Sequence, residues 1–206
     1  MKRATGDDLT HRGIKRKREL LASALKLFSQ NGYAATTIDE IVKACGTGKG
    51  TFYWYWKSKE DLFKELVHEK YEVFLQSLQE VAHNDRPVRE RMLELAPKFA
   101  VLFVKYRQIC RLIHVLIAEG RKSFEKDILD ITNSYYRQCI EVLAALFEEG
   151  KREGVVQADL DAERIAVLLV ALFDGLVAQG AVLGIQKATA DMEKTIDKIF
   201  QHGVFC

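Results

Sequence analysis

The sequence predicts an all-α fold of about nine helices. Only 2 Pro and 13 Gly occur among the 206 residues, which leaves little material for long loops. Apolar residues recur at the three- and four-residue spacing of amphipathic helices, and no segment combines strand-like alternation with a hairpin turn. Hydrophobic residues make up 48% of the chain and charged residues 29%, a composition ordinary for a globular protein with a sizeable core.

Basic residues are concentrated near the N-terminus. Residues 1–56 contain ten Lys or Arg against five Asp or Glu, a net charge of +5, so the remaining 150 residues carry −3 of the chain's +2. This asymmetry is typical of a protein that docks one end on a polyanion. A merely solvated charged tail would give the same pattern, so charge alone does not decide.

The first helix is expected to follow a short arm. Residues 1–12 lack apolar periodicity and are predicted to be a disordered basic arm. Helical spacing begins near Ile14, and Asn31-Gly32 can end the helix because both residues tolerate the left-handed cap conformation. Its apolar face is formed by Leu21, Ala24, Leu25 and Phe28.

Two short helices come next. Thr36 or Thr37 can cap the first, which stops at Cys45-Gly46. After a turn at 46–48, Lys49 begins the second, which runs to about Trp56. A supporting helix followed by two short helices with a tight glycine turn indicates a helix-turn-helix.

The aromatic run in the second short helix is expected to divide between core and surface. Phe52 and Trp56 are four residues apart and share a face, so they are predicted to anchor the helix in the core. Tyr53, Tyr55 and, less clearly, Trp54 remain available outside.

The rest of the chain reads as a second helical domain. Residues 13–58 are assigned to the helix-turn-helix and 59–206 to this second domain. Ser58 can cap its first helix, and Pro97 lies within an apolar helical pattern that it could kink. Helices are predicted at 59–82, 87–105, 107–120, 121–150, 163–183 and 190–201.

A helix lying in the major groove needs close approach and hydrogen-bond donors. Gly50 permits the approach, and Lys49 can reach a guanine edge or, equally, a phosphate. Tyr53 and Tyr55 could instead be packing residues, and Lys59 a solvated charge. The predicted phosphate donors are Thr37, Thr51, Tyr53, Tyr55 and Lys59.

The N-terminal quarter resembles the DNA-binding domain of the tetracycline-repressor (TetR) family. The matching stretches are LLASALKLFSQNGYAATTIDEIVKACG and KGTFYWYWKSKEDLF. The aromatic-Lys-Ser-Lys-Glu-x-Leu ending, at its distance from Gly-Tyr-x-x-Thr-Thr, is specific to that family. Two features depart from the family pattern: the turn has Thr47-Gly48 where an apolar residue and Ser are usual, and Trp56 replaces Phe.

The resemblance implies the roles of individual residues and a dimer. Lys49, Gly50 and Tyr53 would touch bases or adjacent phosphates, and Thr37, Thr51, Tyr55 and Lys59 would touch the DNA backbone. The last two helices, 161–184 and 189–202, would form a four-helix bundle with their copies in a homodimer. The remaining helices would form an effector-binding body.

The apolar helices at 87–183 could enclose a cavity for a small, largely apolar or amphipathic effector. His114 and Asp174 could alternatively be core polar residues, and Asp174 could be a subunit contact. The candidate effector residues are Tyr106, His114, Tyr135 and Asp174.

Other classes of protein and site are disfavoured by missing motifs. Cys45, Cys110, Cys139 and Cys206 have no metal-ligand spacing, so free thiols in a reducing cytoplasm are expected, with no metal and no cofactor. No signal peptide is recognised, and the apolar stretch 166–184 is interrupted by Asp174, Gln179 and three glycines, so no membrane span is expected.

The sequence contains none of the common hydrolase, metalloprotease or phosphate-loop motifs, so an enzyme is not expected. The prediction is a cytoplasmic bacterial regulator, a homodimeric repressor that a small effector releases from a palindromic double-stranded DNA operator. The alternatives are a helical interaction protein whose helix-turn-helix no longer binds DNA and, less favoured, a small helical enzyme.

Overall fold

A computed structural model describes residues 6–118, 124–183, 198–199 and 202–205. Within these residues the chain forms seven helices and one isolated antiparallel bridge, Val156–Phe205. The all-α prediction is therefore confirmed. The helices are α1 (Gly6–Asn31), α2 (Ile38–Ala44), α3 (Lys49–Tyr55), α4 (Lys59–Ala82), α5 (Val88–Ala118), α6 (Phe124–Arg152) and α7 (Ala162–Leu183).

The chain folds as two compact units, Met1–Val67 and His68–Cys206. The predicted domain division between 58 and 59 coincides with the start of α4, whereas the two units divide within α4. Each unit has its own buried apolar residues. In the described part of the chain, no helix is both long and apolar enough to cross a bilayer.

The first unit is built around aromatic side chains. Three aromatic residues are buried together: Phe28 of α1, Phe63 of α4, and Tyr33, which lies between α1 and α2. Their ring centroids are 5.2–5.8 Å apart. Ile41 of α2 and Phe52 of α3 are fully buried in the same unit. The two short helices are thus held by buried apolar side chains, Ile41 and Val42 from α2 and Phe52 from α3.

The N-terminal arm differs from the prediction. α1 begins at Gly6, so residues 6–12, expected to be disordered, belong to the first helix. Extending an existing helix needs no new nucleation, and no proline separates these residues from Ile14. Lack of apolar periodicity therefore did not prevent helix formation.

The second unit joins two of the predicted helices into one. α5 runs unbroken from Val88 to Ala118 through Pro97, where separate helices at 87–105 and 107–120 were expected. No Gly or Pro separates Lys105 from Arg107, so the helix has no local reason to end there. The last predicted helix, 189–202, lies almost wholly outside the described residues.

The carboxyl end of α6 packs closely against its neighbours. A Cβ added at Gly150 would lie 2.6 Å from Val156 Cγ2, 3.0 Å from Val88 Cγ1 and 3.1 Å from Met92 Cε. All three neighbours are buried. Only glycine fits this crossing without displacing core side chains.

Candidate DNA-binding surface and ligand cavity

α2 begins with a complete capping box. The Glu40 backbone N–H donates to Thr37 Oγ1 at 3.2 Å, and the Thr37 N–H donates to Glu40 Oε2 at 2.7 Å. The backbone bond from Thr37 is the main reason that the pKa of Glu40 is lowered. Thr37, predicted to touch the DNA backbone, therefore also fixes the start of α2.

The turn between α2 and α3 is a Schellman motif. Gly46 has φ +60°, its N–H donates to Lys43 O at 3.1 Å, and the Thr47 N–H donates to Val42 O at 2.9 Å. Gly48 then caps α3 without any side-chain bond. The Thr47 and Thr51 hydroxyls are bonded at 2.8 Å, which ties the turn to the first turn of α3.

One side of α3, here called the α3 face, consists of Lys49, Gly50, Tyr53 and Trp54. Tyr53 is 54% exposed and Trp54 84% exposed, whereas Phe52 and Trp56 are buried as the spacing predicted. A Cβ added at Gly50 would meet no atom within 4 Å. The α3 face is thus open and rich in apolar and donor groups.

Lys49 is held by an acid of the preceding helix. Its Nζ lies 2.9 Å from Asp39 Oδ2, with both side chains exposed. The hydrogen bond to Asp39 is the main reason that the pKa of Lys49 is raised. A base or phosphate acceptor would have to draw Lys49 away from Asp39 or share it.

Two of the predicted backbone-contact residues hold the unit together. The Tyr55 hydroxyl donates to Gly13 O of α1 at 2.9 Å. Lys59 donates to Tyr33 O at 2.8 Å and Thr36 O at 2.7 Å, and lies 4.4 Å from the centroid of the Tyr33 ring. Lys59 is therefore a tether between α4 and the segment before α2, a role that its position in the sequence did not reveal.

The second unit contains a cavity of about 60 Å³. Its walls come from α4, α5, α6 and α7 and are mainly apolar, with Phe74, Leu95, Leu143 and Phe173 among them. Its polar lining groups are Lys70, Cys110, Tyr135, Tyr136, Cys139 and Asp174. An apolar chamber with a few converging polar groups is the usual form of a small-molecule site.

Asp174 is held by two donors at the cavity wall. His114 Nε2 lies 3.3 Å from Asp174 Oδ2, and His114 Nδ1 donates to Cys110 O at 2.8 Å. Burial acts to raise the pKa of Asp174, but hydrogen bonds from His114 and Tyr136 outweigh it and lower the pKa. The bond to Asp174 correspondingly raises the pKa of His114.

Lys70 places a positive charge among aromatic rings in this cavity. Its Nζ lies 3.8 Å from the ring centroid of Tyr71, 5.2 Å from that of Phe74 and 5.8 Å from that of Tyr135. Burial lowers its pKa, against smaller opposing effects of Cys110 and Asp174. Burial also raises the pKa of the Cys139 thiol to about 11, which makes this thiol a poor nucleophile.

The predicted effector residues fall in three different positions. Tyr135 and Asp174 line the cavity, and His114 stands behind Asp174. Tyr106 packs against Phe74, with centroids 5.8 Å apart, and is not among the lining residues. Sequence reasoning missed Lys70, whose helical position is visible in the sequence but whose partial burial depends on three other helices.

No group of three or more His, Cys, Asp or Glu side chains among the described residues is arranged to hold a metal ion. The described cysteines Cys45, Cys110 and Cys139 are free thiols.

Two family models match the chain. Residues 20–66 match the bacterial regulatory proteins of the tetR family, and residues 123–201 match the C-terminal domain of BetI-type transcriptional repressors. Among curated relatives, the uncharacterized HTH-type transcriptional regulator YhgD of Bacillus subtilis is 27% identical over 164 residues, covering 80% of this chain and 83% of that protein.

Solved structures share the fold. A putative transcriptional regulator from Saccharomonospora viridis in complex with choline has a TM-score of 0.75 at 22% identity, covering 93% of this chain and 98% of that one. The SmeT–triclosan complex has a TM-score of 0.76 at 16% identity, covering 91% of both chains.

The matched families and the relative are transcriptional regulators and not enzymes, which agrees with the motifs missing from the sequence. The matches cover the helix-turn-helix and two of the four helices that enclose the cavity, α6 and α7. The chain belongs to the TetR family and is a transcriptional regulator with a helix-turn-helix DNA-binding domain.

Proposed function

We propose that the protein is a homodimeric cytoplasmic repressor that leaves a palindromic DNA operator when a small, largely apolar effector binds its second unit. The observation that carries the proposal is the α3 face. A soluble helix rarely exposes Trp and Tyr side by side without a partner, and here they adjoin a lysine and an open glycine.

On the DNA, the α3 face would enter the major groove. Gly50 lets the helix approach the base edges, Lys49 reaches a guanine or a phosphate, and Tyr53 reaches the backbone. Thr37, Thr51, Tyr55 and Lys59 would contact phosphates. Because a phosphate accepts hydrogen bonds and a hydroxyl has one proton, the Thr37 and Tyr55 hydroxyls would have to turn that proton from Glu40 and Gly13 to the phosphate. The net charge of +5 over residues 1–56 supports association with a polyanion.

The dimer contact is proposed to involve α7 and the 189–202 segment. α7 exposes three large apolar side chains: Val167 at 45%, Leu168 at 68% and Leu172 at 44%. Leu168 and Leu172 are one helical turn apart and lie on one face. Covering such a face with its own copy would give the two-fold symmetry that a palindromic operator requires.

Effector response is proposed to pass through α4. This single helix carries Lys59, which tethers the segment before α2, and Lys70 and Phe74, which line the cavity. A ligand that shifts α4 would change the separation of the two recognition helices in a dimer, and half-site spacing is read strictly. The choline and triclosan complexes of structural neighbours support a small-molecule effector.

Selection of bound duplexes from a random DNA pool tests the proposal, followed by affinity measurements on the enriched site. Lys49→Ala and Tyr53→Ala should each weaken binding at least tenfold. Lys26→Ala, which removes an exposed lysine from α1, is the matched control and should change affinity less than threefold. Failure to enrich any sequence across a range of salt concentrations would favour the interaction-protein alternative.

A further inference from the structure

The cavity in the second unit already contains a cation. The Lys70 ammonium lies over Tyr71, Phe74 and Tyr135, the arrangement by which aromatic side chains attract positive charge. A cationic ligand that binds these aromatic faces would be repelled by the Lys70 ammonium, which already lies over them. The electrostatics therefore disfavour ligands with an ammonium group.

Lys70 also lacks a full counter-charge. Among the described residues, no carboxylate ion-pairs with it at 4 Å or less, and Asp174, the one acid lining the cavity, is engaged by His114 and Tyr136. Even partial burial of an ammonium without a counter-ion is unfavourable, and this burial lowers the pKa of Lys70. A ligand that brings its own negative charge would remove this penalty.

The size of the cavity limits the ligand. A buried water needs about 10–15 Å³, so the cavity of about 60 Å³ has room for roughly four to six waters. That space suits one aromatic ring or a short alkyl chain with a polar head. The apolar walls formed by Phe74, Leu95, Leu143 and Phe173 would enclose the body of such a ligand.

We propose that this cavity binds a small carboxylate with an apolar body, its anionic group paired with Lys70 and its body against the apolar walls. The inference rests on the proposed effector function and names the chemical class of the ligand. Tyr135 and Tyr136 would bound the polar end, and Asp174 would stay with His114.

Calorimetric titration of the full-length, DNA-free protein with three probes of equal shape tests the charge requirement. Benzoate, benzamide and benzamidine differ mainly in charge, being anionic, neutral and cationic. We expect benzoate to bind at least tenfold more tightly than benzamide, and benzamidine to bind most weakly. Benzamidine or benzamide binding as well as benzoate, or no binding of benzoate at millimolar concentration, would overturn the proposal.

Variants then locate the charge. Lys70→Met should weaken benzoate at least tenfold and change benzamide less than twofold. Lys105→Met is the matched control, because Lys105 is exposed and lies over the Tyr106 ring in the same unit, and it should leave both affinities unchanged. Asp174→Asn should leave benzoate binding unchanged or tighter. If Asp174→Asn abolished benzoate binding while Lys70→Met retained it, the ligand would depend on Asp174 and not on Lys70, and the proposal would be refuted.

DNA release is measured separately on the selected operator. If benzoate binds with the expected dependence on Lys70 but leaves DNA affinity unchanged, the carboxylate site stands and the release mechanism fails. If a neutral compound releases DNA while benzoate does not bind, the release mechanism stands and the carboxylate site is refuted.

Discussion

Replacing Gly150 by alanine should destabilise the second unit although alanine is the better helix former. The new Cβ would lie 2.6–3.1 Å from three buried side chains, those of Val156, Val88 and Met92. Overpacking of this kind costs about 1–3 kcal/mol, and three simultaneous contacts place it at the upper end. Against this, alanine gains about 1 kcal/mol in helix propensity.

The expected net loss is about 2 kcal/mol, which corresponds to a fall in Tm of roughly 4–8 °C for a chain of this size. Thermal unfolding followed by circular dichroism measures it. In a Val156→Ala background the substitution should cost less, because the nearest contact has gone, and a double-mutant cycle isolates that coupling. A Gly150→Ala protein with a Tm equal to or above that of the wild type would refute the packing argument.

Three further outcomes are expected. Gly50→Ala should raise thermal stability slightly, because the new Cβ would lie in open space and alanine is the better helix former. It should also weaken operator binding several-fold, as measured by fluorescence anisotropy. Tighter DNA binding would contradict a close approach of the DNA at this residue. Lys59→Met should cost about 1–3 kcal/mol in urea unfolding because it leaves the Tyr33 and Thr36 carbonyls without their donor, whereas Lys57→Met, on an exposed neighbour, should cost little; equal effects would argue against the tether. The raised pKa of His114 contributes stability below its unfolded value of 6.5, and this stability is lost as pH rises through the folded value. The lowered pKa of Asp174 contributes stability above 3.8, and this stability is lost on acidification. His114→Gln should therefore destabilise the protein more at pH 5 than at pH 8, and an equal loss at both would contradict the pairing.

The helix-turn-helix could be predicted because its signals are local. Capping at Thr37, the positive φ of Gly46 and the four-residue spacing of Phe52 and Trp56 all act within one or two turns of the chain. Local periodicity also gave most helix boundaries. Periodicity failed at the N-terminus and at residue 106. A helix continues until a residue such as Gly or Pro ends it, and the spacing of apolar residues does not show where such a signal is missing.

The cavity could be predicted only in outline. Polar residues in apolar helices pointed to Tyr135 and Asp174, but the environment of Lys70 depends on α4 meeting α5, α6 and α7. The sequence likewise placed Lys59 correctly at the start of a helix while giving no sign of the three carbonyls that it binds. Contacts between residues distant in the chain were the part that spacing could not supply.

The Lys49–Asp39 pair has a consequence for how the protein would search DNA. Because Asp39 already neutralises Lys49, this lysine brings no extra unpaired charge to the duplex, and moving it onto a phosphate leaves Asp39 facing a polyanion. Binding through phosphate contacts alone would therefore gain little from Lys49. A base-edge acceptor, in contrast, could share the Lys49 ammonium with Asp39, so that both the base and Asp39 keep a hydrogen bond. Asp39 would thus lower the affinity for non-specific DNA and shorten the time that the protein spends on each non-specific site. Asp39→Asn should accordingly steepen the salt dependence of binding to unrelated DNA.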